Sequence, residues 1–132
     1  MVAGGGTAPT VGDIEGIAAE AYESIPEVLR ARADDVRICV EEFPSEDVMR
    51  GMALETPYDL LVLYKGVPFG DQSVSDVRHD IDMIFLYRRP LLDYWVDTGE
   101  RLEEVVRNVL IHEIGHHFGF SDADMERIEE AG

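Results

Sequence analysis

The sequence has 132 residues, 45% of them hydrophobic, with 28 acidic against 11 basic side chains and a formal net charge of −17; that is the size and make-up of one globular domain. So acidic a chain repels phosphate backbones, which excludes nucleic acid as an expected partner. It contains no apolar run of about eighteen residues, so no membrane partner is expected, and its single cysteine, Cys39, allows no internal disulfide, as expected of a cytoplasmic protein.

Residues 1–10 are Gly/Ala-rich and lack both a basic region and an apolar core, so they read as a flexible lead-in rather than a secretory signal. The expected division is a flexible segment over 1–12 and one domain over 13–132. A first helix is predicted from Asp13, as cap, to about residue 32, with Ile14, Ile17, Ala18, Ala21, Ile25, Val28 and Leu29 on one side. Pro26 is expected to kink or restart it, with Ser24 as a second cap candidate. Alternation of Val36, Ile38 and Val40 with polar neighbours predicts a half-buried strand over 35–42.

Residues 45–57 read as irregular or a short helical turn. The apolar run Leu60, Leu61, Val62, Leu63 predicts a strand over 58–65 that is buried on both faces. A Gly/Pro-containing loop follows to about Asp80, then a strand over 81–88 stopped by Pro90. Residues 91–96 are apolar and aromatic with no clear period. The last long helix is predicted to start at Asp97 or Thr98, with Asp97 and Glu100 in a capping-box spacing, and to run to Phe118. Gly119 stands where a left-handed C-terminal cap belongs, and residues 122–130 read as one or two acidic helical turns. One α+β domain is expected.

Three of the four histidines fall between positions 112 and 117. On a helix, residues four apart share a face, so His112 and His116 can aim two imidazoles at one point, the bite a tetrahedral zinc ion requires. Glu113, one residue on, is placed to hold water beside such a point as a general base. Gly119 lets the chain turn sharply and swing Asp122 back beneath the histidines as a third ligand, which leaves a fourth position open. Leu102, Val105, Val106, Val109, Leu110, Ile114 and Phe118 form the apolar stripe that anchors this helix, with His112 and His116 at its margin. His117 falls nearer the middle of the stripe and reads as a packed or hydrogen-bonded residue, not a ligand.

The string H-E-x-x-H-x-x-G-x-x-D over residues 112–122 resembles the metzincin-type zincin signature, with Asp122 in place of the commoner third histidine. From about Asp13 onward the chain resembles the small bacterial zincin-like metallopeptidases called minimal zincins, also in Leu63-Tyr64-Lys65-Gly66-Val67-Pro68 and Leu86-Tyr87-Arg88-Arg89-Pro90-Leu91-Leu92. The resemblance implies a zincin-like single domain with a small mixed sheet, a backing helix and an active-site helix. It implies zinc on His112, His116 and Asp122, Glu113 as the catalytic base, and a peptide or protein substrate paired with an edge strand, for which residues 81–88 are the candidate. Larger metzincins continue into a subdomain with a methionine turn under the metal. This sequence ends soon after Asp122, and Met125 reads as a helix-packing residue.

Two functions follow from this reading. One is a zinc metallopeptidase that hydrolyses peptide bonds through a metal-activated water. The other is a metal-binding zincin-fold module whose activity is weak or depends on a protein partner completing the cleft. No oxyanion-stabilising donor is identifiable: His79, Tyr87, Arg88 and Tyr94 have the chemistry, but such residues are more often structural or on the surface. Endoribonucleases of ribosomal RNA maturation also carry histidines at the positions matching 112, 116 and 122. They usually have glycine at the position of Glu113, which together with the net charge sets that reading aside.

Overall fold

Helix α1 (Val11–Ser24) opens with a reciprocal cap: Asp13 N–H donates to Thr10 Oγ1 at 3.0 Å and Thr10 N–H donates to Asp13 Oδ2 at 2.9 Å. Thr10, not Asp13, is thus the cap residue, and Asp13 is its third-position partner. In this computed structural model, residues 7–33, 36–68 and 80–131 are described. The chain then runs through α2 (Glu27–Arg30), β1 (Arg37–Glu41), α3 (Glu46–Gly51), β2 (Val62–Pro68), β3 (Asp80–Tyr87), α4 (Arg88–Thr98), α5 (Leu102–His117) and α6 (Asp122–Ala131). Pro26 ends the first helix and caps α2, because it cannot supply the amide that helix continuation needs. Ser24 is not a cap; its hydroxyl donates back to the Ala21 carbonyl at 2.7 Å.

The three strands form one mixed sheet in the order β1-β3-β2, with β1 parallel and β2 antiparallel to β3. The segment expected at the edge, residues 81–88, is therefore the central strand. Its Ile84 and Leu86 are fully buried, which the sequence pattern alone does not separate from a half-buried edge. The strand expected to be buried on both faces is instead the edge strand β2, whose Val62, Leu63 and Tyr64 are half-buried. It begins at Val62 because Thr56 and Asp59 cap a 3₁₀ turn over Pro57–Asp59 just before it.

Residues 91–96 lie in α4, a helix that the aromatic run concealed. Pro90 sits in its first turn, where a missing amide costs nothing. Gly99, at φ +70°, ends α4, so the Asp97–Glu100 box does not form and α5 begins afresh at Leu102. Helix α1 packs against β1 and α5 against β2, and the two helices touch each other. The core between them includes Ile14, Leu29, Ile84, Leu86, Val106, Leu110, Ile111 and Ile114, each fully buried. This is a small mixed sheet with a backing helix, α1, and a long helix, α5, carrying the histidine motif beneath the edge strand. Among the described residues no helix is long and apolar enough to cross a membrane.

Candidate active site

Burial of Leu102, Val105, Val106, Leu110, Ile111 and Ile114 locks the rotation of α5 about its axis. That rotation puts His112 and His116 on the face turned toward α6, with ring centroids 6.0 Å apart and planes at 68°. Gly119, at φ +80°, reverses the chain after α5, as the sequence required. Helix α6 then folds back against α5. Its fully buried Met125 lies over Gly115, and a methyl at Gly115 would come within 2.5 Å of the Met125 sulfur. Glycine at 115 is therefore what lets the two helices close on each other. Met125 is a packing residue, as its spacing suggests.

The closure brings carboxylates to the histidines. Asp122 Oδ1 lies 3.6 Å from His116 Nε2. That is long for a hydrogen bond but close to the ~3.3 Å separating two ligands of one tetrahedral zinc ion. The imidazole centroids are wider apart than the ~5 Å of a shared zinc ion by about 1 Å. His112 Nε2 is hydrogen-bonded to Glu129 Oε2, from the last turns of α6. The inner pair is the more sheltered: side-chain exposures are 41% for His112 and 25% for Glu129, against 60% for His116 and 87% for Asp122. Among the described residues no group of three or more His, Cys, Asp or Glu side chains is drawn close enough to hold a metal ion. The arrangement is instead two His–carboxylate pairs side by side, a donor chemistry that suits zinc.

Glu113 points elsewhere. Its Oε2 accepts a hydrogen bond from the Tyr64 amide of β2 at 2.8 Å, fixing the carboxylate at the edge strand. His117 stacks on the Tyr64 ring, centroids 3.7 Å apart and planes 13° off parallel, and meets Phe118 edge-on. Its partner is thus the edge strand, although the ring is exposed rather than in the middle of the apolar stripe. The Tyr64 hydroxyl donates to Asp82 Oδ2 at 3.1 Å. Burial, then the Asp82 bond and charge, push its phenol well above the ordinary tyrosine range.

A cavity of about 310 Å³ adjoins His112 and Glu129 and is lined also by Tyr94, Glu100, Asn108 and Val109. Of the oxyanion candidates, Tyr87 is buried. Arg88 is committed to the Pro9 carbonyl at 2.6 Å and to Glu42 at 2.8 Å, while His79 lies outside the described residues. Of the three that are described, Tyr94 lines this cavity.

Sequence reasoning missed Glu129. The signal was available: it stands seven residues after Asp122, two helical turns along the same face of α6. Arg107 of α5 holds the backbone there by donating to the Glu129 carbonyl at 3.3 Å.

The sheet order, the helix beneath the edge strand and the H-E-x-x-H run facing a folded-back acidic helix define a zincin-type metallopeptidase domain. The profile of the zincin-like metallopeptidase family matches residues 33–131, and the chain belongs to that family. No curated protein matches the chain.

Proposed function

We propose that the chain is a zinc-dependent peptide-bond hydrolase in which His112, His116 and Asp122 hold the metal and Glu113 is the general base. The observation that carries this reading is the pair of α5 imidazoles, one turn apart, whose Nε2 atoms both face carboxylates of α6. When bound, zinc supplies Lewis-acid activation of water and of the scissile carbonyl. Glu113 takes a proton from the attacking water and delivers it to the leaving amine as the carbon–nitrogen bond breaks. The Tyr64 amide orients that carboxylate by holding one of its oxygens. Tyr94, in the cavity beside His112, is the candidate donor to the developing oxyanion.

Substrate is assigned to β2 in place of β3. The Tyr87 amide donates to the Leu61 carbonyl, so odd-numbered positions of this segment face β3. The amide and carbonyl groups of Val62, Tyr64 and Gly66 then face outward, where no strand pairs with them among the described residues. An extended peptide adds there as a further strand, with the Tyr64 amide reserved for Glu113. A cytoplasmic setting belongs to the same proposal, on the single cysteine.

A peptide-library cleavage assay tests the reading. Zinc-loaded protein is expected to cleave, chelator to stop cleavage, and Glu113→Gln to lower kcat by at least about a hundredfold, the low end of a general base's contribution. Unchanged hydrolysis by Glu113→Gln would remove the mechanism. A second reading, a metal-binding module activated by a partner protein, draws on one observation: Glu129 already occupies His112 Nε2. It is favoured if cleavage appears only in a stoichiometric complex.

A further inference from the structure

We propose that the cavity beside His112 is a substrate subsite that receives a basic side chain, lysine or arginine, from a residue next to the bond cleaved. This rests on the reading that the chain is a zinc-dependent peptide-bond hydrolase. The cavity holds about 310 Å³, the lower end of the ~300–1,000 Å³ of ligand pockets, which suits one long side chain. Its walls are Val105, Asn108 and Val109 of α5, Tyr94 of α4, Glu129 of α6, and Glu100 from the turn between α4 and α5. Asn108 stands one helical turn, about 5.4 Å, before His112, so a side chain seated there belongs to a residue near the scissile carbonyl.

The lining is divided as a basic side chain is divided. Half-buried Val109 and the Tyr94 ring offer apolar surface to a methylene stem, while Glu100, Glu129 and Asn108 offer acceptors to the charged head. No lysine or arginine lines the cavity, so its two carboxylates meet no opposing side-chain cation there. Glu129 gives Oε2 to His112, which leaves Oε1 without a partner among the described residues, and the Glu100 carboxylate has none there either. An apolar substrate side chain would strip water from these carboxylates and return no hydrogen bond. An acidic one would be repelled. The general acidity of the chain does not supply this combination, because a solvated acidic face has no recess for the stem.

The test has a binding arm and a cleavage arm. Metal-free protein is titrated with blocked tripeptides carrying lysine, arginine or norleucine at the centre, followed by the amide NMR shifts of Asn108 and Val109. Zinc-loaded protein is given a peptide library randomised on both sides of the scissile bond. Wild type is compared with Glu100→Gln and with Glu126→Gln, an exposed charge that does not line the cavity. Circular dichroism establishes that each variant is folded. Wild type is expected to bind and cleave basic peptides about 10- to 100-fold better than norleucine ones, the range of a hydrogen bond to a charged group. Glu100→Gln should lower that ratio about tenfold, the low end of the same range, with norleucine turnover unchanged. Glu126→Gln should keep the ratio. Equal treatment of the peptides, a preference for other side chains, a ratio unmoved by Glu100→Gln, or an equal loss in Glu126→Gln overturns the subsite but leaves the hydrolase reading standing. A basic preference in binding without cleavage by zinc-loaded protein overturns the hydrolase reading and keeps the cavity's ligand class. Neither binding nor cleavage overturns both.

Discussion

His117 directly follows a motif histidine, yet its ring lies flat on Tyr64. One residue of helix rotates a side chain by about 100°, which is enough to separate an imidazole facing α6 from one facing β2. The same rotation sends Glu113 to the Tyr64 amide. Tyr87 shows the opposite extreme of environment. Burial, with the nearby Glu41 charge, pushes its phenol up to about 12 from an ordinary 10. The folded state therefore keeps the Tyr87 proton where the unfolded chain loses it. The associated stability is complete below pH 10 and declines as pH rises toward 12. Tyr87→Phe should remove about 2 kcal/mol of that alkaline loss, seen as a flatter fall in urea-unfolding free energy across this window. Parallel curves for the two proteins would contradict it. That His112 and His116 share one face of α5, and that Asp122 returns toward His116, was legible because helical period and one glycine turn fix those directions. Glu129 and the Tyr64 stack were not, because each joins segments whose meeting depends on tertiary packing.

At the scale of elements, the long periodic segments are the ones that sequence resolves. Most of the two stripes is buried where the pattern put it, from Ile14, Ala18 and Ala21 of α1 to Leu102, Val105, Val106, Leu110 and Ile114 of α5. Val28, counted with the first stripe, is exposed because Pro26 restarts the chain as α2. The sheet order is different: β2 and β3 are both short apolar runs, and which of them is central depends on pairing, to which periodicity is blind. Helix α4 was hidden for a similar reason, since Leu91, Leu92, Tyr94, Trp95 and Val96 leave too few polar positions to reveal a helical period. The docking of α6 on α5 depends on Gly115. A methyl there would meet Met125 Sδ at 2.5 Å and Cγ at 2.9 Å. Gly115→Ala should cost about 1–3 kcal/mol by overpacking, measured by thermal or urea unfolding. The cost should shrink when Met125→Ala is already present, because the clash partner is gone. A Gly115→Ala penalty that persists in full without Met125 would place the strain elsewhere.

For the whole molecule, the fold explains how so acidic a chain assembles a histidine site. The sheet and α1 form a platform that fixes α5, and α6 returns against it after a single left-handed glycine. The two helices then zip antiparallel, from Arg107 and Glu129 at one end to His116 and Asp122 at the other. In the proposed zinc-bound state an ion shared between them would join α5 to α6, so loading should stabilise the fold. The most direct measurement is zinc binding with its accompanying thermal shift, in wild type, His116→Ala and His117→Ala. The account predicts one zinc per chain and a raised Tm in wild type, both lost in His116→Ala and both kept in His117→Ala. Zinc binding that survives His116→Ala, or a wild type that binds none, would contradict it.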